Sequence, residues 1–99
     1  MKPVAFRPQA VRDLEAIADY IAADNPVRAR SFVQEIRQRC QLLGDFPESA
    51  RRFPELAKDA RILPYRNYLI IYRNLPDQVL ISRVIHGARD ILAVLSDSD

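Results

Sequence analysis

Two apolar runs constrain this chain more than anything else in it. Tyr68-Leu69-Ile70-Ile71-Tyr72-Arg73 and Val79-Leu80-Ile81-Ser82-Arg83-Val84-Ile85 flank a turn at Asn74-Leu75-Pro76-Asp77. Both runs are rich in β-branched and aromatic residues, so they predict two strands of one antiparallel hairpin. A sheet covered on one face alternates apolar and polar residues. These strands do not. Tyr68, Ile70 and Tyr72 point one way, and Leu69 and Ile71 the other. In the second run Val79, Ile81 and Ile85 share a face with Arg83. Leu80 and Val84 lie opposite, with Ser82 and His86. A sheet apolar on both sides needs a cover on both sides. Whatever precedes the hairpin must supply one cover, and something else the other.

Helical periodicity supplies the first. Val4 and Phe6 alternate as a short opening strand, and Pro8 suits the first position of a helix. Val11, Leu14, Ile17, Ala18 and Ile21 then recur at helical spacing, which predicts a helix near residues 8–23. Asn25 is a good N-cap and Pro26 a good first helical residue. A second stripe follows in Ala29, Phe32, Val33, Ile36, Cys40 and Leu43, with Gly44 expected to end the helix and Pro47 to prevent its return. The short break predicts an antiparallel αα-hairpin. Residues 45–60 read as a connection, Arg61-Ile62-Leu63-Pro64 as a further strand, and Asp90 to Leu95 as a short final helix. The expected architecture is one α+β domain over residues 1–99, in the order β-α-α-β-β-β, with an antiparallel sheet packed on the helix hairpin.

Length allows little else. Ninety-nine residues, 28% charged and 48% hydrophobic, make one globular domain with a modest core. Cys40 is the single cysteine, so no intrachain disulfide exists. No apolar run approaches the roughly 18 residues of a membrane span, and no signal-peptide core follows Met1. A cytoplasmic protein with no membrane association is the expectation. Charge is uneven. Residues 1–50 balance seven basic against seven acidic side chains, whereas residues 51–89 hold eight basic and three acidic, a net +5. Such a half suits an acidic or anionic partner, although a solvated arginine surface is the plainer reading.

Several chemistries are excluded. With only Gly44 and Gly87, the chain has no glycine-rich phosphate loop. Cys40 and His86 cannot furnish the usual four zinc ligands, so neither metal nor cofactor is expected. Cys40 lies on the apolar stripe, as a packing residue would. The best polar constellation is Arg83, His86, Arg89 and Asp90. There His86 could act as a general base and Arg89 could stabilise phosphoryl charge. Equally, His86 could bond to backbone and Arg89 to a carboxylate, as a structural knot. Tyr65, Tyr68 and Tyr72 interleave with Arg61, Arg66 and Arg73, an aromatic and basic mixture that suits single-stranded nucleic acid or simply a solvated sheet edge.

The whole pattern resembles the ParE/RelE superfamily of toxins from type II toxin–antitoxin pairs. The likeness runs over roughly residues 4–92. Its pieces are Asp13-Leu14, Ile17 and Tyr20-Ile21, then Asn25-Pro26 with Ala29, Leu42-Leu43, Phe46-Pro47, and Arg51 with Pro54-Glu55-Leu56. Arg61-Ile62-Leu63, Tyr68 to Arg73 and Val84-Ile85-His86-Gly87-Ala88-Arg89-Asp90 complete it. The closing run is ParE-like. Ala50 departs from the Gly that the family often has before its arginine.

This resemblance implies the RelE/ParE-like fold and one of two activities. One branch cleaves messenger RNA on the ribosome. Carried onto this chain, its residues would be Arg61, Arg83, His86 and Arg89. That branch places Arg after the Tyr that opens the central strand, and a Tyr or His near the C-terminus. Here Leu69 follows Tyr68, and residues 90–99 hold neither Tyr nor His. The resemblance therefore implies the other branch, a growth-inhibiting protein inhibitor of DNA gyrase that is not an enzyme. Arg83, His86, Arg89 and Asp90 are then candidates for target binding. The alternatives are the ribosome-dependent endoribonuclease and an inactive member that only binds its antitoxin. The resemblance also implies a hetero-oligomer with a cognate antitoxin on the spare apolar face, through Tyr68, Ile70, Tyr72, Val79 and Ile81 or their opposite-face neighbours. No sequence-specific DNA binding is expected of the chain alone.

Overall fold

The structure is a computed structural model and describes residues 1–88 and Ile91. The expected layers are present. Strand β1 (Val4–Phe6) leads to helices α1 (Pro8–Ala22) and α2 (Pro26–Asp45). The chain then builds β2 (Arg51–Arg52), β3 (Ala60–Tyr65), β4 (Tyr68–Asn74) and β5 (Val79–His86). The order across the single sheet is β1-β5-β4-β3-β2. The pairs β2–β3, β3–β4 and β4–β5 are antiparallel. The edge strand β1 pairs with β5 in parallel, from Val4 against Val79 to Phe6 against Ile81, so the sheet is mixed.

Pro8 starts α1, and the freed amides of Ala10 and Val11 donate to the Arg7 carbonyl. The Asn25 side chain accepts from the Arg28 amide at 3.0 Å, and Pro26 opens α2. Both helix starts therefore follow the sequence reading. The end of α2 does not. Gly44 lies inside the helix, which continues to Asp45. Its role is space: the Lys2 amide donates to the Gly44 carbonyl at 2.9 Å, and a Cβ on Gly44 would collide with the Lys2 carbonyl oxygen. The missing side chain lets the N-terminal segment run against the helix.

The main core lies between helices and sheet. Ala10, Leu14 and Ile17 of α1 and Phe32, Ile36, Cys40 and Leu43 of α2 pack on Ile70, Tyr72, Val79, Ile81 and Val84. A smaller cluster lies on the other face. There Ile62, Ile71 and Ile85 are covered by Phe53, Leu56, Leu69 and Ile91. The segment between α2 and β3, expected only to connect, thus covers part of the second face. It also contributes β2.

One irregularity decides which side chains share a face. The register of β4 against β5 shifts between Ile71 and Tyr72, so Arg83 pairs with Ile71 and Ile81 with Tyr72, leaving Ser82 as an extra residue. Such a bulge reverses the alternation beyond it. Val84 therefore joins Val79 and Ile81 under the helices, and Ile85 turns to the opposite face. Regular alternation assigns them the other way round. The expected helix from Asp90 to Leu95 lies outside the described residues, apart from helical Ile91.

Candidate functional site

The candidate residues fall into three places. Arg83 is the buried one, with 8% of its surface exposed. A guanidinium within an otherwise apolar strand requires a counter-charge, and Asp13 on α1 provides it. Arg83 Nε donates to Asp13 Oδ2 at 2.8 Å and its Nη2 donates to Oδ1 at 3.1 Å. This is the fork-to-fork geometry in which an Arg–carboxylate pair is strongest. The amide of Val84 also donates to Asp13 Oδ2, at 2.9 Å. One carboxylate thereby holds both the side chain and the backbone just past the bulge. The sequence reading did not single out Asp13 for this. The signal was Arg83 itself, a cation in an apolar strand.

His86 lies at the end of β5. Its Nδ1 accepts from the Ala88 amide at 3.1 Å, which places the neutral ring's proton on Nε2. The ring meets Tyr68 edge-on, with centroids 5.4 Å apart. Tyr68 in turn packs on Phe32 of α2 at 5.6 Å, and Tyr65 packs on the same Phe32 at 6.0 Å. Burial against these neighbours raises the Tyr68 phenol above its ordinary value. Arg83 reaches α1 through Asp13, whereas His86 meets Tyr68, its cross-strand partner, which packs against the helix-side core. The register past the bulge at Ser82 still pairs Arg83 with Ile71 and His86 with Tyr68, residues of opposite faces.

Around Tyr65 the surface is basic. The Tyr65 hydroxyl donates to Glu35 Oε1 at 2.6 Å, and Arg28 Nη1 donates to Glu35 Oε2 at 2.6 Å. The Arg28 hydrogen bond, with that of Tyr65 second, lowers the Glu35 carboxyl to about 2. Arg28 also lies over the Phe32 ring. Arg39 and Arg66 both lie over the Tyr65 ring.

Arg61 stands at the other end of β3, four residues and roughly 13 Å from Tyr65 at strand rise. Its Nη1 donates to the carbonyls of Ala50 at 2.7 Å and Glu48 at 3.2 Å. Its cross-strand neighbour Tyr72 donates to the Pro47 carbonyl at 2.8 Å. Together they pin the turn after α2, and Ala50, which stands where a glycine was expected, is buried there. Arg61, Arg83 and His86 are therefore each bound into the scaffold and are not gathered around one point. Arg89 and Asp90 lie outside the described residues. Among the described residues no three His, Cys, Asp or Glu side chains could hold a metal ion.

The antitoxin face needs a correction. Ile70, Tyr72, Val79 and Ile81 are fully buried beneath α1 and α2, and Tyr68 is packed against that core. The chain's own helices occupy the first of the two faces expected for a partner, which leaves the opposite-face neighbours. Partly open apolar residues lie on both faces, with Leu63, Tyr65 and Tyr68 beside the helix-side core and Leu69, Phe53 and Leu56 over Ile62, Ile71 and Ile85 on the other.

A mixed five-stranded sheet with a helix hairpin on one face and a smaller apolar cluster on the other defines a small α+β scaffold. A family model, the ParE toxin of the type II toxin–antitoxin system parDE, matches residues 4–91. The chain belongs to this family, and it is a type II toxin–antitoxin toxin. Toxin RelE2 of Caulobacter vibrioides is 29% identical over 89 residues, which cover 90% of this chain and 99% of that protein. The solved chromosomal ParDE TA system from P. aeruginosa has the same fold, with a TM-score of 0.74 at 22% identity over 87% of this chain and 96% of that one.

Proposed function

We propose that this toxin inhibits DNA gyrase by binding it, without catalysis of its own, and that a cognate antitoxin neutralises the toxin by direct contact. The observation that carries this reading is the engagement of three of the four candidate nuclease residues. Arg83 is neutralised by Asp13, Arg61 is spent on two backbone carbonyls, and His86 Nδ1 holds the Ala88 amide. RNA cleavage needs a cation and an acid/base group converging on one phosphodiester. Groups bound into the fold one by one suit a protein that works through its surface. The family match supports the same branch.

The antitoxin contact belongs, in this reading, to the sheet face opposite the helices. A short apolar segment laid over Leu69, Phe53 and Leu56 would complete a cover that the described residues supply only in part. A tail that folds on binding is suited to such a strip. The test is a supercoiling and cleavage assay with purified gyrase and toxin freed of antitoxin. Loss of supercoiling with accumulation of cut DNA is the expected result. Unaffected gyrase, with toxin that is folded by circular dichroism, overturns the reading. Ribosome-dependent cleavage of messages would then replace it.

A further inference from the structure

The interleaved tyrosines and arginines of β3 and β4 are split by the fold. Tyr72 and Arg61 hold the turn after α2, and Arg73 is paired with Asp59 at 2.7 Å. Tyr65, Arg66 and Tyr68 come together with Arg39 of α2 at the opposite end of the sheet. Two cations there, Arg39 and Arg66, are exposed, and among the described residues neither forms a salt bridge, although the charge of Arg66 also helps to lower the Glu35 carboxyl. Their guanidinium carbons lie 5.2 and 5.8 Å from the same Tyr65 centroid, which limits their separation to 11 Å. A guanidinium held over a ring keeps its N–H edge available to an anion, while the ring holds its orientation. The ring is itself anchored through its hydroxyl on Glu35.

Backbone conformation gives a second, independent observation. Arg66 is the only described non-glycine residue with positive φ, at 54°. It occupies the first position of the two-residue loop between β3 and β4, where glycine or asparagine fits without strain. Strain of this kind costs on the order of 1–3 kcal/mol and is retained where the side chain is needed.

We infer that Arg39 and Arg66, mounted on Tyr65, bind backbone phosphates of duplex DNA without sequence preference. Phosphate suits the forked donors better than a point cation would. Successive phosphates of one strand advance about 3.4 Å along the axis, so two guanidinium groups no more than 11 Å apart can reach neighbouring groups. Base stacking plays no part, because Tyr65 carries its arginines and Tyr68 is packed on Phe32 and His86. Single strands therefore gain no advantage. This site is separate from the gyrase reading and stands or falls without it.

The test is fluorescence anisotropy of a labelled 20-bp duplex titrated with the free toxin between 50 and 200 mM salt. The expected result is weak binding, with an affinity on the order of 10⁻⁴–10⁻⁶ M near physiological salt and no dependence on base sequence. Arg39→Gln with Arg66→Gly should weaken binding on the order of a hundredfold near 50 mM salt and flatten the log–log salt slope by about 1.8. Arg66→Gly alone should weaken binding while leaving the thermal midpoint equal or higher, since glycine relieves the strain. That pairing separates a binding role from a structural one. Three results overturn the inference: equal loss when Arg51 and Arg52 at the far edge are replaced instead, tighter binding to a single-stranded RNA of the same length, or binding to an acidic peptide but not to the duplex.

Discussion

Asp13 carries more of the fold than any other exposed-sequence feature suggests, because it serves two donors from the last strand at once. Replacing it by Ala leaves Arg83 charged in a nearly dry site, with side-chain exposure of 9%, and strips the Val84 amide of its acceptor. Removing one partner of a buried pair costs about 3–5 kcal/mol. Asp13→Ala should therefore shift the urea midpoint severely or prevent folding, whereas Asp19→Ala, exposed on the same helix, should change it little. Glu35 makes a prediction in pH. Its carboxyl is lowered from 4.5 to about 2 by Arg28 and Tyr65. A depressed acid contributes stability above its unfolded value and loses that contribution as pH falls through its folded value. Stability should decline between about pH 4.5 and pH 2, and Glu35→Gln should show a shallower decline in that window. Burial pushes the Cys40 thiol up to about 12, so a thiol reagent at pH 8 should label it only on unfolding.

At the scale of elements, Gly44 is the sharpest case. Alanine is the better helix former by about 1 kcal/mol, so an isolated helix would gain from the change. Here the added methyl meets the Lys2 carbonyl and comes within 3.1 Å of Val4 Cγ2. Overpacking of this kind costs about 1–3 kcal/mol. Gly44→Ala should lower the denaturation midpoint, and the same substitution in an N-terminally shortened chain without residues 1–3 should not. What was legible in the sequence divides along the same line. The stripes through Leu14, Ile17, Phe32 and Ile36 are local repeats, and they mark α1 and α2 almost to the residue. The bulge at Ser82, the parallel pairing of β1 and the two-residue strand β2 depend on which strand lies alongside. Nothing in their own residues states it. The face reading of Ile85 and Val84 failed for this reason, and which of the two sheet faces the helices take is likewise set by packing and not by the strands' own residues. Arg83 and His86 were legible as polar residues in an apolar setting, but their partners, Asp13 and Tyr68, are supplied by distant segments.

For the molecule as a whole, the two faces of the sheet should respond differently to a partner. Antitoxin bound only to the native toxin raises its apparent stability, by about 2.7 kcal/mol at a hundredfold excess over Kd. The toxin's thermal midpoint should rise accordingly with antitoxin concentration. Leu69→Glu places a charge on the partly covered face, outside the main core. It should weaken antitoxin capture while the free toxin still folds, as measured by calorimetry alongside circular dichroism. Equal capture by Leu69→Glu would move the antitoxin to another surface. The pairing of Val4 with Val79 has a further consequence, in the timing of synthesis. Strand β1 is made before every other described element, yet among the described residues its one neighbour in the sheet is β5, the last of the described strands. Closing so long a span carries its entropic cost before any contact repays it, and folds built on distant contacts form slowly. A chain emerging from the ribosome holds its helices well before it holds its sheet. The sheet of the toxin is thus incomplete until residues 79–86 have emerged.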